Sequence, residues 1–446
     1  MQPRPHLREP KTLAGDTELS KHGIRRGDRR LMADMNRNLV FNVLRTGAVS
    51  RADVARATGL SPATVSAIVS ELMENGLVNE VGHGKSHGGR PPLVLQINDE
   101  RNYAIGLKLV EDGVFIVVTD VRAEVIYSEM VELDWAPVRG DSALSARTSG
   151  DGPVPVVDLI CQAIESSANR AGVGLEKVVG IGIGLPGVVD SENGICRYSP
   201  TFGWRDVPVT LPIAKRLGRP VLADNDVNAL TVAEQWFGRG YGVDDFVVVF
   251  AGEEIGGGIV VGGSVYRGAD GAAGEIGHLP VNGEDAPCRC GHSGCLNALS
   301  SDGAVRRYAT EAMAAGRPSR LSAVPARDLT SEAVTLAASM GDKVARGAIE
   351  RAGRMLGLGI ASMVNLFNPR LVILASSGTG PLRWEAAISV IRERSFAGID
   401  RNIDFFIDSV SDADWARGAA CIVLGELFSP PMHRSVDLGP LANTSR

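Results

Sequence analysis

The run GEIGHLPVNGEDAPCRCGHSGCLN, residues 274–297, restricts the fold more than any other stretch of this chain. It gathers one imidazole, His278, and three thiols, Cys288, Cys290 and Cys295. Its glycines and prolines exclude a continuous helix or strand, so it must be a compact loop. Three thiolates and an imidazole form a tetrahedral donor set for Zn²⁺ with no position left open, a structural site rather than a catalytic one. Glu275 stands three residues before His278, so whatever fixes the histidine also places a carboxylate nearby. The expectation is a metal-clamped loop that holds a small-molecule site in shape.

The remaining cysteines and the charge pattern set the context. No apolar run reaches the ~18 residues of a membrane span. Residues 1–13, MQPRPHLREPKTL, carry basic groups but no apolar core of a secretory signal. A cytoplasmic protein without membrane contact is expected, its cysteines serving as ligands or core residues rather than disulfides. Cys161, Cys196 and Cys421 lie among apolar neighbours and read as small buried hydrophobes. Of 446 residues, the first 98 hold fourteen Lys/Arg and nine Asp/Glu, net +5, which leaves −11 of the total −6 for the rest. A basic head on an acidic body points to one DNA-facing module joined to something else.

Residues 1–30 read as a disordered tail and 31–98 as the head. Helical spacing of Met32, Met35, Leu39, Val43 and Leu44 predicts a first helix over 31–47, ended by Gly47. Ser50 is set to cap a short second helix, with Asp53 closing a capping box. The turn Thr58-Gly59-Leu60-Ser61 leads to a third helix, Pro62–Asn75, with Val65, Ile68, Val69 and Leu72 as its inner stripe. Helix, glycine turn and helix at this spacing is a helix-turn-helix pattern. Ser61, Ala63, Thr64, Ser66 and Ala67 on the third helix are small, which would let it sit deep in a major groove. An alternating stretch up to Ile97, broken by GHGKSHGGRPP, predicts a hairpin wing. Its Arg90, between Gly89 and Pro91, suits a narrow minor groove or a phosphate.

From Tyr103 the pattern turns to strands. Three β-rich runs over 103–131 predict an antiparallel meander, followed by a Gly/Ser/Pro loop over 134–155. A helix near 157–164, a buried strand Val178–Leu185 and a strand Pro220–Ala223 complete a first unit, 102–223; Asp224-Asn225-Asp226 and a helix Val227–Phe237 follow. A second unit, 224–430, repeats the order and contains the cysteine loop, with helices expected over 304–316 and 328–366; residues 431–446 form a tail. This is an α/β fold with a cleft between two related lobes.

The run Gly256–His278 (GGGIVVGGSVYRGADGAAGEIGH), the CRCGHSGC that follows, DNDVNALTVAEQWFG (224–238), LPGVVD (185–190) and LGIASMVNLFNPRLVIL (358–374) together resemble the ROK family of repressors and sugar kinases. The resemblance covers about residues 36–428, in the family's order. It implies a winged helix-turn-helix followed by a duplicated actin-like (RNase H-like), two-lobed ATPase-type domain with a zinc loop. It also implies a hexose-like ligand contacted by Asn225, Asp226, Glu275 and His278, Asp226 being the base position in kinases. His278, Cys288, Cys290 and Cys295 match the family's zinc ligands. Trp204 could offer a face to a sugar, though a core position suits it better.

The departures from the kinase pattern point away from ATP. An Asp-x-Gly-Gly-Thr phosphate loop is replaced by Gly106–Glu111 (GLKLVE), and the second phosphate turn reads Gly252-Glu253-Glu254. Two carboxylates there would repel a polyphosphate. The adenosine-side glycines after Leu374 read Ala375-Ser376-Ser377-Gly378. Asn297 replaces a glutamate and Thr201 an asparagine, which alters the sugar pocket. The chain is therefore expected to be a repressor whose inactive kinase-like body senses a small sugar, acting on operator DNA as a homodimer or homotetramer. A sugar kinase with a regulatory head is the alternative, as is a regulator with a degenerate cleft controlled by a protein partner.

Overall fold

Ser50 starts the second helix of the head by the reciprocal pairing its sequence calls for. Its Oγ accepts the Asp53 N–H at 3.2 Å, and the Asp53 carboxylate accepts the Ser50 N–H at 3.3 Å. Two orphan helix donors are thus satisfied, a contribution of about 1 kcal/mol. The computed structural model describes residues 29–45, 47–84, 91–98, 102–133, 155–281, 285–377 and 380–428. The head comprises α1 (Arg29–Arg45), β1 (Val49–Ser50), α2 (Arg51–Thr58), α3 (Pro62–Glu74), β2 (Val78–His83) and β3 (Leu93–Ile97). α1 begins two residues inside the expected tail. Gly59 ends α2 at φ +68°, a left-handed turn that glycine adopts without strain. Ser61 then caps α3, accepting the Thr64 N–H at 3.1 Å. Val65, Ile68, Val69 and Leu72 are buried, as their spacing predicts. Strands β2 and β3 pair antiparallel to form the wing. The expected tails, the 134–155 loop (apart from Pro155) and the wing tip with Arg90 lie outside the described residues.

The body holds β4 (Tyr103–Val110), β5 (Gly113–Asp120), β6 (Val125–Glu132), α4 (Pro155–Arg170), β7 (Val178–Leu185), β8 (Val188–Asp190), β9 (Ile195–Ser199), β10 (Trp204–Pro208), α5 (Thr210–Leu217), β11 (Val221–Asn225) and α6 (Asp226–Phe237). Then come β12 (Phe246–Ala251), β13 (Ile255–Val261), β14 (Ser264–Val265), α7 (Leu296–Ser300), α8 (Asp302–Ala314), α9 (Ser331–Ser339) and α10 (Lys343–Phe367). β15 (Leu371–Ser376), α11 (Gly380–Arg394), β16 (Asp404–Ser409) and α12 (Asp412–Phe428) close the chain. One sheet runs β6-β5-β4-β7-β11 and the other β14-β13-β12-β15-β16. Each is an antiparallel meander extended by two parallel strands in the same order, so the duplication is explicit in the topology.

Three features depart from the sequence expectation. The helix expected over 328–366 is two helices, α9 and α10, parted at Gly341, whose φ of +85° breaks the spiral. A small sheet β8-β9-β10, too short to show a period, covers the first lobe. A division at residue 223 falls within β11, and α12, last in the second unit, packs on the first sheet. Gly106 and Gly182 make that packing possible: a Cβ on them would stand 1.9 and 1.8 Å from the Ala416 and Ala419 carbonyl oxygens. No described helix is long and apolar enough to cross a membrane.

Candidate ligand cleft, metal cluster and DNA face

Strand β11 delivers Asp224 and Asn225 to the junction of the lobes, and α6 starts there with Asp226. Asp224 is fully buried; its carboxylate accepts Asn225 N–H (2.8 Å), Asn228 Nδ2 (3.1 Å) and Arg267 Nε (2.7 Å). A buried charge of this kind is tolerable only when so compensated. Asn225 caps α6: its Oδ1 accepts the N–H groups of Val227 and Asn228, and its Nδ2 donates to the Gly187 carbonyl at 3.0 Å. That leaves one amide N–H for a ligand. Burial pushes the Asp226 carboxyl up to about 6, against the opposing pull of Lys108 and the Val227 N–H; Glu254 and Glu275 push it the same way.

Asn225 and Asp226 line a cleft of about 1220 Å³ together with Thr201, Glu275 and His278. All four proposed sugar contacts are therefore brought to one cavity. Six carboxylates, Glu111, Asp226, Glu253, Glu254, Glu275 and Asp412, line it together with Lys108, Arg205 and Arg289. Lys108, on β4 in the stretch GLKLVE (106–111), was not singled out by sequence. Its Nζ lies 3.1 Å from Asp412 Oδ1 and 4.8 Å from the centre of the Trp415 ring. The sequence signal was a lysine in place of a glycine-rich loop; its partners lie some three hundred positions away.

The Glu253-Glu254 turn differs from expectation in one respect. Glu253 is held by Arg306 at 2.5 and 2.9 Å, which lowers its carboxyl below the usual range and offsets its charge. Glu254 also lines the cleft and has no ion-pair partner among the described residues. Asn297, whose identity suggested an altered ligand, accepts the Ile255 N–H through Oδ1 at 3.0 Å. It fastens the turn, using an acceptor that a carboxylate would equally supply. Trp204 is buried against Phe202, 4.8 Å between ring centres, and belongs to the core.

The cysteine loop folds as a small hairpin, with backbone bridges Pro280–Cys295 and Pro287–Ser293. It brings the His278, Cys288, Cys290 and Cys295 donor atoms within 4.8 Å of one another. Cys290 and Cys295 Sγ stand 3.7 Å apart, and Cys288 Sγ is 3.7 Å from His278 Nδ1. A tetrahedral zinc with ~2.3 Å bonds to sulfur requires sulfurs about 3.8 Å apart, so the set fits that ion. The His292 N–H brings the Cys290 thiol down to about 6, while burial pushes Cys295 up to about 12. Cys161, Cys196 and Cys421 are buried with thiols raised by desolvation, consistent with core positions.

On the head, Ser61, Ala63, Ser66 and Ala67 are exposed along one side of α3 and Thr64 is half-buried, its hydroxyl 2.8 Å from Ser61 Oγ. A small, open helix face of this kind can approach a major groove closely.

The ROK family profile matches residues 148–425, and a winged helix-turn-helix DNA-binding profile matches residues 34–79. The chain is 31% identical over 409 residues to a xylose repressor of Caldicellulosiruptor bescii, covering 91% of this chain and 99% of that protein. It is 29% identical over 350 residues to the DNA-binding transcriptional dual regulator NagC of Escherichia coli K12, covering 78% and 82%. A solved ROK family transcriptional regulator, a homologue of the E. coli MLC protein, superposes with a TM-score of 0.77 at 26% identity, covering 89% of this chain and 97% of that one.

Proposed function

The chain belongs to the ROK family and is a DNA-binding transcriptional repressor, and we infer that its two-lobed body senses a neutral sugar without phosphorylating it. One observation supports this inference: the two stretches that depart from the kinase phosphate-loop pattern carry charged groups of the chain's own at the cleft. Lys108 is bound to Asp412, and Glu254 faces the cavity with no ion-pair partner among the described residues. Like charges at ~4 Å oppose a polyphosphate by about 1 kcal/mol in water and by several near a protein surface. The same wall of carboxylates disfavours a phosphorylated sugar and accepts hydroxyl donors from a neutral one. Relatives named for xylose and, among the matches, for N-acetylglucosamine support a sugar as the effector.

Asp226 and Glu275 accept sugar hydroxyls, the remaining amide N–H of Asn225 donates, and His278 Nε2 faces the cleft. His278, Cys288, Cys290 and Cys295 hold a structural Zn²⁺, which braces the loop carrying Glu275. Ser61, Ala63, Thr64, Ser66 and Ala67 meet the major groove and Arg90 the backbone or minor groove beside it. A two-fold homodimer, alone or paired in a tetramer, presents two heads to a palindromic operator. A sugar that prefers the released state by ~1.4 kcal/mol changes operator occupancy tenfold.

Asp226 also favours a second function, since a buried carboxyl near 6 is suited to act as a general base in a kinase. Calorimetry with D-xylose, D-glucose and N-acetylglucosamine, alongside an ADP-release assay, separates the two. Sugar binding without ADP release is expected; turnover above background would make the protein a kinase.

A further inference from the structure

We propose that α6 is the arm by which the cleft acts on the DNA-binding head, and that Arg45 is the residue that fastens the head to it. The two ends of α6 lie at the two places that must communicate. Its first residue, Asp226, is in the cleft floor, and its last turn carries Trp236 and Phe237. Arg45, the last residue of α1, donates to the Trp236 carbonyl oxygen. Its guanidinium lies 5.4, 5.3 and 4.9 Å from the ring centres of Trp236, Phe237 and Tyr241. An arginine among three aromatic faces is an attachment with directional preference, where apolar packing alone would allow sliding. Burial lowers the Arg45 pKa, so the group is withdrawn from water there.

Apolar packing makes head and arm continuous. Phe41 and Leu44 of α1 share one buried cluster with Ala229, Val232 and Ala233 of α6 and with Cys421–Leu424 of α12. α6 is also in close contact with both lobes. A Cβ on Gly258 of β13 would stand 1.7 Å from Thr231 Oγ1, and one on Gly418 of α12 would stand 3.1 Å from the Ala229 backbone. A helix of twelve residues wedged this tightly behaves as a rod of about 18 Å. Closure of the second lobe over a ligand that grips Asp226 and Glu275 then tilts or shifts α6, and Trp236 moves with it. The head follows through Arg45, changing how α3 is presented to DNA. This coupling rests on the sugar-sensing role of the cleft; the attachment of the head does not.

The test uses the full-length, metal-loaded protein and two variants, Arg45→Met and Tyr241→Leu, which leave the cleft intact. Hydrogen exchange of α2 and α3 is measured without sugar, where both variants should exchange about threefold faster or more than wild type. D-xylose, D-glucose and N-acetylglucosamine are then titrated calorimetrically and against a DNA duplex selected by the protein from a random pool. The sugar that lowers wild-type DNA occupancy about tenfold should bind the variants with unchanged affinity yet alter their occupancy less than about twofold. Unchanged exchange in both variants would overturn the attachment, and intact sugar response in both would overturn the coupling. If none of the three sugars alters wild-type DNA binding, the sugar-sensing role fails while exchange still decides the attachment.

Discussion

His278 stands 4.0 Å from Glu275 through Nε2, while its other ring nitrogen, Nδ1, faces Cys288 Sγ at 3.7 Å. The histidine thus has one side on the His/Cys cluster and the other toward Glu275 in the cleft. Loss of one of these donors is therefore expected to change both stability and sugar response. Cys290→Ser is expected to lose its zinc and lower the melting temperature by roughly 5–10 °C, from about 3 kcal/mol of lost bracing. It should also lose sugar-dependent DNA release. Metal analysis and thermal melts check this; retained zinc with normal regulation would refute the clamp.

The exposed face of α3 gives a prediction confined to the head. Ala67→Glu adds a carboxylate where phosphates and base edges are expected, yet the site is exposed. Stability should change by less than about 0.5 kcal/mol, and DNA affinity should fall about a hundredfold or more at moderate salt. Anisotropy titration with thermal melts measures both. Unaltered affinity would remove α3 from the interface.

Asp226 makes the stability of the unliganded protein depend on pH. Its carboxyl is raised from the ordinary value near 4 to about 6. Between those values the folded protein holds a proton that the unfolded chain has lost, so stability falls as pH rises. The group's contribution is complete below about pH 4 and lost above about pH 6. Asp226→Asn should then be more stable than wild type at pH 7–8 by on the order of 1–3 kcal/mol, with the gain vanishing near pH 4. Denaturant melts across this range decide it, and a gain independent of pH would contradict it.

The carboxylate wall predicts preference by charge. D-glucose should bind more tightly than D-glucose 6-phosphate, and Glu254→Gln should narrow the difference several-fold. Calorimetry at low and moderate salt measures this, and preference for the phosphate in the wild type would reverse the assignment of a neutral ligand.

What could be read from sequence was local. Ser50 with Asp53, and Ser61 before Pro62, announce helix starts because the groups that pair lie three residues apart. His278 and the three cysteines were legible because one short loop carries all four. Lys108 with Asp412, Glu253 with Arg306 and Arg45 with Trp236 were not, because each partner arrives from a distant element through the duplicated topology. Asn297 was legible as a departure from the family pattern, but its bond to the Ile255 N–H was not, because that partner lies on another element. The packing of α12 on the first sheet left only indirect marks, the glycines at 106 and 182 that admit it.

A sugar held in this cleft is expected to release DNA without any chemistry. Fluorescence anisotropy of the selected duplex, titrated with D-xylose, D-glucose and N-acetylglucosamine in the absence of ATP, tests it most directly. One of these neutral sugars should lower occupancy by the wild type about tenfold, and Glu275→Ala should abolish the response while leaving DNA affinity unchanged. Release that requires ATP, or an undiminished response in Glu275→Ala, would contradict the account.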